Sequence, residues 1–117
     1  MSYRTQRVAE EMKREIAAIL KEEIKDPRVG FVTVTGVEVT PDYRYAKVYV
    51  SIFGDETEVK NALEGLEKAS GYIRKEIGRR IKLRYTPELS FRHDESIRHG
   101  AKIAELLANV QEKEGRE

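Results

Sequence analysis

The chain predicts an α+β domain, with helices covering one face of a three-stranded sheet. Three observations predict it. Apolar residues recur at helical spacing near the start and again after residue 56. Two stretches between them are rich in β-branched residues, and the second alternates cleanly at period two. Some thirty residues of helical pattern then lead to a third strand, the length of a parallel crossover connection. At 117 residues the chain suits one domain, placed here at 1–108 with a polar tail at 109–117.

The first helix runs from Tyr3 to about Ile24. Val8, Met12, Ile16 and Ile19 fall within an arc of about 80°, while Arg7, Arg14 and Lys21 recur every seven residues on the opposite side. Asp26-Pro27 ends it, because the residue before a proline avoids helical geometry. The strand Phe31 to Val39 changes parity, with Val32 and Val34 even but Val37 and Val39 odd. Gly36 stands at the change, where a β-bulge absorbs the slip. Thr40-Pro41-Asp42-Tyr43 supplies turn chemistry. Tyr45 to Phe53 then alternates, with Ala46, Val48, Val50 and Ile52 on one face, so the two strands form an antiparallel hairpin.

From Glu56 the period is helical again. Val59, Ala62, Leu63, Leu66 and Ala69 make one stripe, and Ile73, Ile77 and Ile81 make a second. Ser70 and Gly71 stand between them. A glycine inside a helix costs about 1 kcal/mol relative to alanine, so two helices joined by a tight kink are expected. Leu83, Tyr85, Leu89 and Phe91 alternate as the third strand, with Pro87 suggesting an edge or a bulge. Asp94-Glu95-Ser96 opens a last helix, with Asp94 as its N-cap.

Composition narrows the function. There is no cysteine, so disulfides, thiolate zinc sites and cysteine nucleophiles are excluded. No apolar run approaches the ~20 residues of a membrane helix, and no secretory signal is visible, so a soluble cytoplasmic protein is expected. His93 and His99 are six apart and form no metal pair. No Gly-rich nucleotide loop occurs, and no catalytic residue, metal site or cofactor is expected. Nothing suggests a coiled-coil seam, which leaves a monomer.

The charges carry more information. The formal net charge is only +1, yet residues 55–67 hold five acids against Lys60, and residues 72–84 hold six bases against Glu76. Lys75, Arg79, Lys82 and Tyr72 share one helical arc opposite the isoleucines. With Arg74 and Arg80 they make a candidate nucleic-acid face: cations neutralise phosphates and a tyrosine stacks on an unpaired base. The turn Ala69-Ser70-Gly71 would let a backbone approach, and Arg7, Arg14, Arg92 and Arg98 are second-tier contacts. The competing readings are a solvated helix face and a protein–protein adaptor using Tyr45, Tyr49 and Phe53.

The order of elements and the basic kinked pair resemble a type II KH domain, whose G-x-x-G turn is replaced here by the A-x-G of Ala69-Ser70-Gly71. RVAEEMKREIAAILKEEIKDPRVGFVTVTGVEVTPDYRYAKVYVSIFG resembles the amino-terminal half of the bacterial ribosome-binding factor A family. Pro87, Leu89, Phe91, Asp94, Ser96, Ile97, Gly100, Ile103, Leu106 and Leu107 match that family's closing signature. The resemblance spans residues 3–108. It implies a non-enzymatic assembly factor that binds the small ribosomal subunit and helps 16S rRNA mature at its 5′ end, especially in the cold. Some members carry a longer basic tail than the nine residues after Ala108.

Overall fold

A computed structural model describes residues 3–94. Helix α1 spans Tyr3–Glu22 and buries Met12, Ile16 and Ile19 of the predicted stripe together with Ala9 and Leu20, while Val8 is only half-buried. It stops four residues before the expected Asp26-Pro27 stop. That dipeptide instead opens a short 3-10 turn, Pro27–Val29, whose cap is the Asp26 carboxylate accepting from the Arg28 amide at 3.0 Å. The Arg28 guanidinium closes on the same carboxylate at 2.6 Å and holds its pKa down, to about 2.

Strands β1 (Val32–Val39) and β2 (Tyr45–Ile52) pair antiparallel. The register slips where the valine parity predicts. Val34 faces Val50 and Gly36 faces Tyr49, which leaves Thr35 as the extra residue. The Thr35 hydroxyl donates to the Asp94 carboxylate at 2.8 Å, a tie between β1 and the end of the third strand. In the connecting turn, the Tyr43 amide donates to the Thr40 carbonyl and Tyr43 adopts φ 61°.

Helix α2 spans Glu56–Arg80 and starts with a capping box between Asp55 and Glu58. It corrects the expectation of two helices, because the helix runs unbroken through Ser70 and Gly71. Ser70 keeps its hydroxyl inside the helix by donating to the Glu67 carbonyl at 2.7 Å. Gly71 has no positive φ, so no left-handed turn accounts for its presence.

The third strand is also shorter than expected. β3 covers Glu88–His93, and Leu83–Thr86 is irregular. Pro87 is fully buried and marks the boundary, since it cannot donate to a sheet ladder. β3 pairs parallel with β2, so the order is β1-β2-β3 and the α2 connection is the predicted crossover. α1 lies against β1 and α2 against β3. Met12, Ile16 and Ile19 of α1 meet Val48 and Val50 of β2 and Leu66, Ile73 and Ile77 of α2 in a fully buried core. The last helix, the tail at 109–117 and Arg98 lie outside the described residues.

Candidate nucleic-acid interface

The second half of α2 turns its isoleucines to the core and its cations outward, but those cations divide into two groups. Arg80 belongs to a network that ties α2 to α1. Its guanidinium donates to Glu15 at 3.0 Å and to Glu23 at 2.6 Å, and its Nε lies 3.6 Å from Glu76. The hydrogen bond to Glu15, with the other carboxylates, raises its pKa further. Glu76 is buried, and it also accepts from Arg79 at 2.8 Å. The Tyr72 hydroxyl donates to Glu23 at 3.0 Å, which pushes its own pKa up. Two predicted RNA contacts, Tyr72 and Arg80, thus already serve the α1–α2 joint. Tyr72 still leaves 45% of its surface exposed, enough for a ring face to meet a ligand.

The second group surrounds a shallow groove of about 550 Å³ between α2 and the irregular segment after it. Gly71, Arg74, Lys75 and Gly78 line it from the helix, and Arg84, Tyr85 and Thr86 from the segment. The Arg74 guanidinium donates to the Thr86 carbonyl at 3.0 Å and so pins the far wall. Gly78 is the residue that permits this closeness. A Cβ there would stand 2.9 Å from the Thr86 hydroxyl oxygen, whereas one at Gly71 would meet nothing within 4 Å. Gly71 therefore leaves the groove open, while Gly78 lets the segment pack against the helix.

Among the described residues, Lys75, Lys82 and Arg84 form no ion pair. Such cations remain available to an anion. Arg84 sits 5.6 Å from the Tyr85 ring centre, a cation–π distance that orients an aromatic exposed over 57% of its surface. The arrangement offers phosphates a row of donors and a base an aromatic face. Among the described residues no three His, Asp or Glu side chains converge as metal ligands. No helix among those residues is long and apolar enough to cross a membrane.

A family model described as ribosome-binding factor A matches residues 4–107. The chain belongs to the ribosome-binding factor A family. Ribosome-binding factor A of Halothermothrix orenii is 58% identical over 111 residues, covering 95% of this chain and 91% of that one. The crystal structure of the Thermus thermophilus ribosome-binding factor A superposes with a TM-score of 0.69 at 28% identity, covering 76% and 94% of the two chains. A homology model of the Thermus thermophilus factor, fitted into a cryo-EM map of a 30S-RbfA complex, matches with a TM-score of 0.65 at 27% identity over 78% and 96%.

Within this member of the family, the remaining predicted residues are dispersed. Arg7 and Arg14 are exposed on the outer side of α1. Arg92 lies on β3, opposite Tyr49 and beside Lys47 on the sheet face that α1 and α2 do not cover. None of these lines the groove. On that face Tyr49 is half-buried and its hydroxyl donates to Glu38, while Tyr45 and Phe53 are exposed. Sequence reasoning missed Arg84 and Tyr85, which it placed on a strand. The available signal was Ile81-Lys82-Leu83-Arg84, where cations alternate with apolar residues ahead of a proline.

Proposed function

We propose that this chain binds the small ribosomal subunit through 16S rRNA and assists late maturation and 5′-end processing without catalysing a reaction. One observation carries the reading. The groove of α2 combines cations that form no ion pair among the described residues, an exposed tyrosine and a glycine floor, in a chain that belongs to a ribosome-binding family. The 30S-RbfA complex of the Thermus relative supports the choice of partner. In this reading residues 1–108 work as one KH-type RNA-binding unit, monomeric and cytoplasmic.

Lys75, Arg79 and Lys82 take phosphates, Arg84 adds a further charge, and Arg74 holds the segment that walls the groove. The Ala69-Ser70-Gly71 turn of the helix, with no side chain at Gly71, lets an RNA backbone come close. Tyr72 meets the RNA with its exposed ring face while its hydroxyl stays on Glu23. Binding of this kind favours one rRNA conformation over its alternatives by the difference in affinity between them.

The test is co-sedimentation with purified small subunits, with large subunits as control. Wild-type chain should pellet with small subunits, and a folded Lys75→Glu/Arg79→Glu/Lys82→Glu variant should stay in the supernatant. Equal pelleting of variant and wild type would remove this face from the reading. Failure of the wild type to pellet would remove the partner.

A further inference from the structure

On the other side of the 82–86 segment lies a second hollow, of about 510 Å³, between α1, the β1–β2 turn and the segment. We propose that this hollow receives one unpaired RNA base whose phosphates continue into the α2 groove. The inference rests on the RNA-binding reading above and adds to it a ligand and a place.

The lining matches a nucleotide in two parts. Val8, Leu83 and the rings of Tyr43 and Tyr85 supply an apolar and aromatic wall, as the flat face of a base requires. Arg4, Lys82 and Arg84 stand around it as cations for the phosphates on either side. Asp42 is the one acid in the lining; it accepts from the Thr40 hydroxyl at 2.6 Å and the Arg44 amide at 3.1 Å. Its charge repels phosphate from that wall, so the base edge rather than the backbone faces it.

Tyr43 gives an independent pointer. It is the one non-glycine among the described residues with positive φ. A left-handed backbone holds this ring in the wall of the hollow. Tyr85 lines both the hollow and the groove, so a strand lying in one reaches the other across that ring. A duplex keeps its bases stacked inside and cannot use the hollow, which makes single-stranded RNA the ligand.

The experiment measures fluorescence anisotropy of a fluorescein-labelled octa-adenylate RNA with the full chain. The same strand with abasic central positions and a short RNA duplex run beside it. Tyr85→Ala should weaken octa-adenylate binding about 5- to 100-fold, the range for loss of one base stack. Tyr43→Ala should weaken it by a similar factor, because it removes the second ring of the wall. Tyr43→Ala, which lies outside the groove, should leave duplex binding unchanged, and circular dichroism confirms that both variants fold. The proposal is overturned if wild type does not bind octa-adenylate, if the abasic strand binds as tightly, or if both variants bind like wild type. Small-subunit co-sedimentation of the same preparations separates the two readings: subunit binding without a base effect sinks only the hollow, and loss of subunit binding sinks only the partner.

Discussion

Counterion release gives the basic groove a measurable signature. Around the groove and the neighbouring hollow, Lys75, Lys82, Arg84 and Arg4 form no ion pair among the described residues, and Arg74 and Arg79 contribute according to how far their existing partners release them. Four to six phosphate contacts give a slope of log K against log salt of roughly −3 to −5. Raising salt from about 50 to 200 mM should then weaken wild-type binding about 60- to 1,000-fold. In Lys75→Gln/Lys82→Gln/Arg84→Gln three contacts are gone, the slope falls to roughly −1 to −2, and the same step costs only about 4- to 16-fold. Arg80→Gln provides the contrast. Its charge is already matched by Glu15, Glu23 and Glu76, so the slope of that variant should equal wild type even where its stability drops. Filter binding of small subunits or of 16S rRNA fragments across five salt concentrations reads all three slopes. Equal slopes for wild type and triple variant, or a flattened slope from Arg80→Gln alone, would refute the division of cations drawn here.

Other tests address the scaffold. Deleting Thr35 removes the bulge while keeping Val34, Val37 and Val39 inward, so the domain should fold with a loss of about 1–2 kcal/mol from the lost bond to Asp94; an unfolded chain by circular dichroism would contradict the register. Ile77→Ala opens the fully buried seam beneath the basic face and should lower stability by about 2–5 kcal/mol in urea titration; a loss below about 1 kcal/mol would mean the seam is not packed as described. The Asp26 carboxyl titrates at about 2 in the folded chain against an ordinary 3.8, chiefly through the Arg28 hydrogen bond. A lowered carboxyl contributes stability above its ordinary pKa and loses it as pH falls from about 4 through about 2. In NMR titration, Arg28→Ala should move the Asp26 midpoint up toward 3.8, and an unmoved midpoint would assign the shift to another cause.

Much of this fold was legible because its sheet is written in local pattern. Period-two alternation places Tyr45 to Ile52, the parity change at Gly36 locates the bulge, and the long helical connection makes the third strand parallel. Ser70 and Gly71 misled because propensity counts a glycine as a break, whereas the helix here absorbs it and a Ser70 back-bond besides. Leu83 and Tyr85 misled because alternation also occurs in an extended segment with no ladder partner. The roles of Arg80 and Tyr72 were not legible at all. Their partners Glu15 and Glu23 lie about 50 to 65 residues away, and only tertiary packing brings them together.

The parallel pairing of β3 with β2 also bears on the order in which the molecule assembles. Tyr45 pairs with Glu88 across more than forty residues, whereas the hairpin and both helices form from near neighbours. Closing so long a loop loses chain entropy before its contacts repay it, so this ladder is expected to zip last. Pulse-labelled amide exchange would then protect the β1–β2 hairpin before Ser90 and Arg92, and simultaneous protection would rule the order out. Because Lys82 to Thr86 lead directly into that ladder, a chain emerging from synthesis would lack the wall shared by the proposed groove and hollow until β3 is in place. Recognition would thereby be withheld from every incomplete copy.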